Sequence, residues 1–324
     1  MKRSFSKVTL PLEFPFQITG YTFENLNAVW VELEQGGHRG RGEGVGSYYL
    51  GETQESMLAQ LNSLSEAAWG LEHEELIAQL PPGGAKNALD CALWDLRCKS
   101  EGKTIWELLQ VTPRQLNTVA TVGIGSDEFM ASRAKTFANY PNLKIKLDHE
   151  RPLERVRLIR DARPDATLVI DANQAWDRGQ LEHLLPGLQD LGVAMIEQPV
   201  KRGEDSQLEG LSSPIPLGAD ESCLTLEEYD GVKDLYDVIN IKLDKCGGLT
   251  PALELAKEAL RDGKKLMVGN MTGSSLSMAP AFVIGQFCEF VDIDGPLLLA
   301  DDIANPLEYL PGGLVNPPKP ELWG

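Results

Sequence analysis

Five charged residues recur at nearly even intervals along the middle of the chain, and each ends or directly follows a short apolar run. They are Lys146, Asp171, Glu197, Asp220 and Lys242, spaced 25, 26, 23 and 22 residues apart. An interval of this length holds one strand, one crossover helix and two loops. The even spacing therefore predicts that the five side chains lie at equivalent ends of successive parallel strands, which in a closed βα barrel meet at one mouth.

The alternation of strand and helix predicts an eight-stranded parallel barrel over residues 111–302. Strand-like, β-branched runs start with NTVATVGIG near residue 117 and recur near residues 143, 168, 194, 216, 239, 266 and 290. Ser126 suits the N-cap of the first barrel helix, and Pro152 suits the first turn of the second. Strands and helices in alternation favour a parallel barrel over a β-sandwich.

Residues 1–110 follow another pattern and predict a smaller α+β capping domain. Period-two alternation with glycine turns comes first, and the segments 52–80 and 85–99 read as helices. The tail 303–324 is rich in proline and glycine, holds no eighth helix and is expected to return to the cap. The predicted fold class is therefore α/β, a TIM-like barrel (111–302) with an α+β cap (1–110 with 303–324).

The bulk composition argues against some partners. The chain of 324 residues has 30 basic and 48 acidic side chains, a formal charge of −18, and both nucleic acid and anionic membranes require a positive surface. No apolar stretch reaches the roughly 18 residues of a membrane span, and no export signal is visible. Five scattered cysteines, an odd number, predict reduced thiols and a cytoplasmic location.

Three of the five evenly spaced residues are carboxylates, namely Asp171, Glu197 and Asp220. A carboxylate at a strand end is ordinary when it stands alone, but three in phase indicate a shared site. They offer only oxygen ligands, and no His or Cys lies nearby at ligand spacing. A hard cation is therefore expected, with Mg²⁺ favoured over Mn²⁺ or Ca²⁺.

Two lysines flank these carboxylates, and a third shares a strand with one of them. Lys144 and Lys146 are two residues apart, so their side chains lie on one face of a strand. A neighbouring ammonium disfavours the protonated form of an amine, which suits Lys146 to act as a general base. Lys242 ends a strand four strands later and therefore faces Lys146 across the barrel, although Lys245 is a weaker competitor for its role. Two opposed amines can reach opposite faces of one carbon, so that one removes a proton and the other returns it.

The last predicted strand ends in FVDIDGP, which places Asp292 and Asp294 on one face by the same period-two rule. Two carboxylates without another cation nearby suit the ammonium group of a ligand. They equally suit a structural turn, and the chemistry alone leaves both interpretations open.

In order along the chain, the KxK of the second strand and the segments VIDAN, MIEQP, GADES and INIKLDKCGG resemble the enolase superfamily, in its muconate-lactonizing subgroup. The resemblance covers nearly the whole chain. It implies a capping α+β domain on a (β/α)7β barrel and Mg²⁺-assisted abstraction of a proton next to a carboxylate or carbonyl. It further implies the three carboxylates as metal ligands, Lys146 and Lys242 as the acid/base pair, and Lys144 as the neighbour that tunes Lys146.

FVDIDGP also resembles the Asp-x-Asp signature of dipeptide epimerases, whose two aspartates hold the ammonium group of the substrate, and GGAKNALDCALWDL and MVGNMTGSS resemble the L-Ala-D/L-Glu epimerases. This resemblance implies Asp292 and Asp294 as substrate-binding residues, and Thr121 is a further candidate for substrate binding. The implied function is inversion of the α-carbon of the C-terminal residue of a dipeptide, by two-base 1,1-proton transfer through a metal-stabilised enolate. A homo-oligomer is also expected, as is common in the family.

One segment departs from the pattern of the epimerases that act on Ala-Glu. Their mobile cap loop offers arginine to the glutamate side chain, whereas the matching segment here, TGYTFENLN at 19–27, has no basic residue. Tyr21 and Phe23 instead suggest a neutral or apolar second residue, and Glu24 leaves a cationic one open. These three residues are the expected contacts of that side chain.

Other functions stay open at this point. One is another enzyme of the subgroup, such as an N-acylamino-acid racemase, an o-succinylbenzoate synthase or a muconate cycloisomerase, whose substrates lack a free ammonium group. Another is a non-catalytic barrel that retains a metal and binds an amino compound, which requires the metal ligands but not the lysines. The sugar-acid dehydratases fit less well, because the seventh strand ends in VGN where they would show a His.

Overall fold

The chain begins with a three-stranded antiparallel sheet and helices and continues into a parallel barrel. The computed structural model describes residues 1–18 and 20–324. The strands are β1 (Lys2–Ile18), β2 (Tyr21–Gln35), β3 (His38–Gly44), β4 (Leu116–Asn117), β5 (Ala120–Val122), β6 (Asn142–Lys146), β7 (Thr167–Asp171), β8 (Val193–Glu197), β9 (Leu217–Ala219), β10 (Val238–Ile241), β11 (Lys265–Val268), β12 (Phe290–Val291), β13 (Tyr309–Leu310) and β14 (Leu314–Val315). The α-helices are α1 (Gln54–Ser63), α2 (His73–Ile77), α3 (Gly84–Glu101), α4 (Ile105–Leu109), α5 (Asp127–Thr136), α6 (Pro152–Ala162), α7 (Arg178–Asp190), α8 (Leu226–Val232), α9 (Leu243–Cys246), α10 (Leu249–Arg261) and α11 (Ser275–Gly285).

The cap is built from β1, β2 and β3 with α3 packed on the sheet. The ribbon of β1 and β2 pairs from Lys2 to Ile18, with a shift of register between Pro11 and Phe16. Glycines at every second position of β3, from Gly40 to Gly44, allow α3 to approach, because a methyl group at any of them would overlap a backbone carbonyl of that helix. The ribbon extends beyond this contact and reaches over the barrel mouth.

Eight parallel strands form the barrel, as the alternation predicts. β5 to β12 lie side by side in chain order, each paired with its sequence neighbours. The seam between the first and last of them is closed by Val119, whose N–H donates to Val291 O at 2.8 Å. Ser126 caps α5, and Pro152 is the first residue of α6. The prediction of an α/β TIM-like barrel with an α+β cap is confirmed.

The helices differ from the prediction at two places. Segment 52–80 is not one helix, because Leu64 leaves α1 in an extended conformation and the short 3₁₀ helix Ala68–Gly70 separates α1 from α2. The connection from β8 to β9 carries the 3₁₀ helix Asp205–Leu208 rather than an α-helix. Within the described ranges, each helix is too short or too polar to span a lipid bilayer.

Buried carboxylates join the cap to the barrel. Asp244, just after β10, accepts hydrogen bonds from the N–H groups of Val45 and Gly46 at 2.9 and 3.1 Å. In the opposite direction, Glu43 of β3 accepts from the Ser274 N–H at the start of α11 at 2.8 Å. These contacts fix the entrance of the barrel beneath the ribbon.

The C-terminal tail lies against the cap helix α3. Trp323 is fully buried, and its Nε1–H donates to Cys91 O at 2.9 Å. The N–H of Gly324 donates to Asp95 Oδ1 at 2.8 Å. The tail thus contacts a helix of the cap, and the domain boundaries 1–110 and 111–302 stay predictions.

Candidate active site

The five evenly spaced residues meet at the carboxyl ends of the barrel strands. Lys146, Asp171 and Glu197 are the last residues of β6, β7 and β8, and they lie in register with one another across those strands. Asp220 and Lys242 directly follow β9 and β10. All five are buried. The strand spacing therefore predicts not only the barrel but also which side chains converge at its mouth.

The three carboxylates form a site that fits a hard cation. One oxygen each from Asp171, Glu197 and Asp220 lies within 4.8 Å of the others. Burial, with the nearby Asp171 carboxylate, raises the pKa of Glu197 to about 8, and Glu197 Oε2 accepts no hydrogen bond of good geometry although Lys144 Nζ lies 2.8 Å away. The cluster is buried and offers only oxygen atoms, and burial disfavours the charged form of Glu197. Such a set of ligands fits Mg²⁺ as a hard cation.

Lys146 and Lys242 flank this carboxylate cluster from its two sides. Lys146 Nζ lies 2.5 Å from Asp171 Oδ2, and Lys242 Nζ lies 2.6 Å from Asp220 Oδ2. Burial would lower the pKa of Lys242, but the surrounding acidic groups, first Asp220 and then Glu197, together outweigh it and hold that pKa above its usual value. Both lysines line one small cavity of about 50 Å³. The two amines thus reach the same enclosed space from β6 and from β10, four strands apart.

Lys144 faces the barrel interior together with Lys146, as their two-residue spacing predicts. Its Nζ lies 2.8 Å from Glu197 Oε2, 3.2 Å from Asp171 Oδ2 and 2.9 Å from Asp292 Oδ2. Burial disfavours its charge, but these carboxylates hold its pKa well above the usual value. Lys144 is therefore a buried cation that balances the acidic cluster. Its expected tuning of Lys146 stays a prediction.

Asp292 and Asp294 lie at the seam of the barrel, next to Thr121. The Thr121 N–H donates to Asp294 Oδ2 at 2.8 Å. Asp292 is engaged on both oxygens, by Lys144 Nζ at 2.9 Å and by the Asn270 side-chain amide at 3.0 Å. The sequence suggested that Asp292 and Asp294 have no cation of the protein nearby. This is wrong for Asp292, because closure of the barrel brings Lys144 next to it. Burial and the Asp292 charge raise the pKa of Asp294 to about 7.

Several supporting residues were missed in the sequence. The Asn240 amide donates to Glu197 Oε1 at 2.7 Å, and Gln198 Oε1 accepts the Asp220 N–H at 2.9 Å. Asn240 lies two residues before Lys242, so the period-two rule could have placed it inside the barrel. Lys245 Nζ donates to the Asp220 carboxylate and to three backbone carbonyls. That amine is bound on all sides, which leaves Lys242 as the better candidate for proton transfer.

Aromatic side chains from the ribbon cover the cavity. Phe23 and Tyr48 line it, and Tyr21 packs against both with tilted rings, with ring centroids 4.5 Å from Phe23 and 4.8 Å from Tyr48. Glu24 lies farther out. Together these four residues line part of a neighbouring cavity of about 450 Å³, which we name the acidic chamber because Glu52 and Glu55 also line it and no Lys or Arg among the described residues does. Thr19, the first residue of the 19–27 segment, lies outside the described residues.

Comparison with known proteins places this site in a family. Residues 3–110 match the family described as mandelate racemase / muconate lactonizing enzyme, N-terminal domain, and residues 129–320 match the enolase C-terminal domain-like family. The L-Ala-D/L-Glu epimerase of Escherichia coli (strain K12) is 42% identical over 308 residues, which cover 94% of this chain and 96% of that one. The N-acetyl-D-glutamate racemase of a Pseudoalteromonas species is 41% identical over 254 residues, 78% of this chain and 80% of that one.

Solved structures agree with these sequence matches. An enolase family member from Agrobacterium tumefaciens with homology to dipeptide epimerases, bound to sodium and L-Ala-L-Glu, has a TM-score of 0.96 at 38% identity, with 99% of both chains covered. The dipeptide epimerase of Enterococcus faecalis V583, complexed with Mg and L-Leu-L-Tyr, has a TM-score of 0.89 at 28% identity, with 97% of this chain and 96% of that one covered. This chain therefore belongs to the enolase superfamily and, within it, to the branch of the dipeptide epimerases.

Proposed function

We propose that the chain is a Mg²⁺-dependent dipeptide epimerase that inverts the α-carbon of the C-terminal residue of its substrate. One observation carries the proposal, namely that Lys146 and Lys242 reach a single enclosed cavity from opposite flanks of the carboxylate cluster. An amine on each side of one carbon is what a 1,1-proton transfer requires. The family membership and the Mg-bound dipeptide complex of the Enterococcus faecalis relative support the same function.

The proposed mechanism assigns one task to each group of residues. Asp171, Glu197 and Asp220 would hold the cation, and a bound cation would supply stabilisation of the negative charge that develops on the substrate carboxylate. One of the two lysines, Lys146 or Lys242, removes the α-proton of the substrate from one face as a neutral amine, and the opposite lysine donates a proton to the other face as an ammonium group. The aromatic roof excludes bulk water while the substrate is bound, and the lysine protons exchange with solvent before the substrate enters.

A panel of L,L-dipeptides in D₂O tests this function directly. Inversion and wash-in of deuterium at the C-terminal α-carbon, followed by proton NMR, are the expected results, and both require added Mg²⁺. Absence of exchange and of inversion for every dipeptide in the panel would contradict the proposal.

A second candidate function is racemisation of an N-acylated amino acid, which the Pseudoalteromonas relative favours by its similarity. Such a substrate has no free ammonium group and therefore no use for Asp294. Asp294→Asn should weaken a dipeptide epimerase and spare an N-acylamino-acid racemase. Parallel assays with L-Ala-L-Leu and N-acetyl-L-glutamate on both proteins separate the two functions.

The expected ammonium contact gives the activity a dependence on pH. The pKa of Asp294 is raised to about 7 by burial and by the Asp292 charge, so the free protein holds this carboxyl protonated below that pH. A neutral carboxyl attracts an ammonium group less strongly, and kcat/KM for dipeptides is therefore expected to fall as the pH drops from 8 to 6. This fall in kcat/KM at low pH should be smaller in Asp294→Asn. An identical fall in both proteins would show that another group causes the pH dependence.

The acidic chamber predicts which second residue is accepted. Phe23 and Tyr48 line both the reaction cavity and the acidic chamber, so the side chain on the reacting carbon is expected to enter there. Glu24 makes no ion pair within the described ranges, and none of the described residues that line the acidic chamber is a Lys or Arg that could pair with a substrate carboxylate. We expect kcat/KM for L-Ala-L-Leu and L-Ala-L-Gln to exceed that for L-Ala-L-Glu by about tenfold or more. A preference for L-Ala-L-Glu would overturn this expectation.

The location and assembly of the protein belong to the same proposal. The five cysteines are free and buried, which supports a reducing compartment such as the cytoplasm. Light scattering of the purified chain checks the expected homo-oligomer.

A further inference from the structure

A second cavity beside the reaction site is apolar, and we infer that it binds a bulky apolar side chain on the N-terminal residue of the dipeptide. This inference rests on the proposed dipeptide epimerisation and adds the class of its first residue. The cavity, which we name the apolar chamber, has a volume of about 460 Å³. Its apolar lining consists of Phe14, Pro15, Phe16, Ile124, Phe129, Leu297 and Leu298.

The apolar chamber adjoins the place where the ammonium group is expected. Thr121 lines the chamber, and its N–H donates to Asp294 Oδ2 at 2.8 Å. Phe16 lines both this chamber and the cavity that holds Lys146 and Lys242. The ammonium-bearing carbon of a dipeptide held by Asp294 therefore lies next to the chamber, and the side chain on that carbon has the chamber to enter.

Two of the aromatic rings that line the apolar chamber are exposed to solvent. Phe14 and Phe129 are 62% and 51% exposed, the two highest values among the large apolar side chains of the described residues. Both face the same chamber. Apolar surface grouped in this way at a functional cavity marks a binding surface, because a ligand that covers it removes the surface from water.

Two glycines beside Thr121 lie against the rings that line the chamber. A Cβ at Gly123 would lie 3.1 Å from Gln17 O and 3.3 Å from the Phe16 ring, and a Cβ at Gly125 would lie 2.5 Å from the Phe129 ring. A side chain at either position would push against the ribbon or the rings. The two glycines therefore let the Phe16 and Phe129 rings lie close to this backbone, where both rings line the chamber.

The charges at the chamber do not favour an ionic side chain. Arg133 is the only basic residue among the described lining residues, and its guanidinium stacks over the Phe137 ring at 4.6 Å. The acidic Glu13 also lines the chamber, so the two charges are of opposite sign. Apolar side chains make up most of the remaining lining, so an apolar side chain of the substrate fits the chamber.

A series of dipeptides with a constant second residue tests the inference. The substrates are Gly-L-Leu, L-Ala-L-Leu, L-Leu-L-Leu, L-Phe-L-Leu and L-Glu-L-Leu, and the readout is kcat/KM for α-deuterium exchange at the C-terminal residue. We expect L-Leu-L-Leu and L-Phe-L-Leu to exceed L-Ala-L-Leu by about tenfold or more, since each added methylene in an apolar pocket discriminates strongly. Equal or faster reaction of L-Ala-L-Leu, or fastest reaction of L-Glu-L-Leu, would overturn the inference.

Variants that fill the chamber test the same point independently. In Leu297→Trp the ratio of kcat/KM for L-Leu-L-Leu to that for L-Ala-L-Leu is expected to fall about tenfold, and Ile124→Trp serves as a second filling variant if the first is unstable. Leu260→Trp is the matched control, because Leu260 is 44% exposed on α10 and outside the chamber, and its ratio should equal that of the parent. An unchanged ratio in two folded filling variants would exclude the chamber as the binding place.

The outcomes separate this inference from the proposed function. If no dipeptide of the series exchanges its α-proton, the epimerase function itself fails. If L-Ala-L-Leu reacts and the bulky substrates do not react faster, only the assignment of the apolar chamber fails.

Discussion

Replacing Lys242 with methionine is expected to reduce inversion of a dipeptide by about 10³-fold or more, because general acid–base groups contribute roughly 10²- to 10⁴-fold each and inversion needs both lysines. Lys146→Met should reduce the rate of inversion by a similar factor. The matched control is Lys257→Met, an exposed lysine on α10, which should retain the parent rate. Circular dichroism of each variant verifies that the barrel remains folded.

The two lysine variants should differ in a second property, the exchange of deuterium without inversion. Lys146 and Lys242 approach the cavity from opposite flanks, so each is expected to serve one epimer. Lys242→Met should still exchange the α-proton of the epimer whose proton faces Lys146, and Lys146→Met should exchange that of the other. Exchange of the same epimer by both variants, or inversion near the parent rate in either, would contradict the two-base mechanism.

Removal of the divalent cation is expected to lower activity by about two orders of magnitude or more and to lower the melting temperature. Asp171, Glu197 and Asp220 are buried and close together, so a bound cation relieves their mutual repulsion and stabilises the folded state. Dialysis against EDTA followed by addition of Mg²⁺ measures both effects, and recovery of rate and melting temperature is the expected result.

A ligand variant shows whether the cation acts at this site. In Asp220→Asn the rise in melting temperature on addition of Mg²⁺ should disappear, whereas in Glu209→Gln, an exposed control, it should remain. Glu209 lies outside the strand ends, so its loss leaves the cluster intact. Full activity after exhaustive chelation would exclude a role for the metal in the reaction.

The geometry of the barrel mouth was largely predictable because it follows from strand spacing. In a parallel barrel every strand end points to the same side, so counting residues from Lys146 to Lys242 is enough to bring five side chains together. Asn240 could have been added by the same rule. The positions of these side chains were predictable because the regular strand–helix repeat alone determines them.

Contacts that depend on closure of the barrel could not be read from the sequence. Lys144 and Asp292 are 148 residues apart, and they meet because β5 and β12 join at the seam. The segment 52–80, expected to be helical, is divided into α1 and α2, since local periodicity does not reveal where tertiary packing interrupts a helix. The partners of Asp292 were therefore misjudged although its face of the strand was correct.

The covered reaction cavity has a consequence for how the protein exchanges its ligands. At about 50 Å³ it is far smaller than the roughly 300–1,000 Å³ of typical small-molecule pockets, so a dipeptide cannot occupy it while Phe16 and Phe23 stay in place. The pairing of β1 with β2 shifts register between Pro11 and Phe16, directly before the part of the ribbon that carries these rings. A dipeptide can therefore enter and leave only when the part of the ribbon that carries these two rings moves aside.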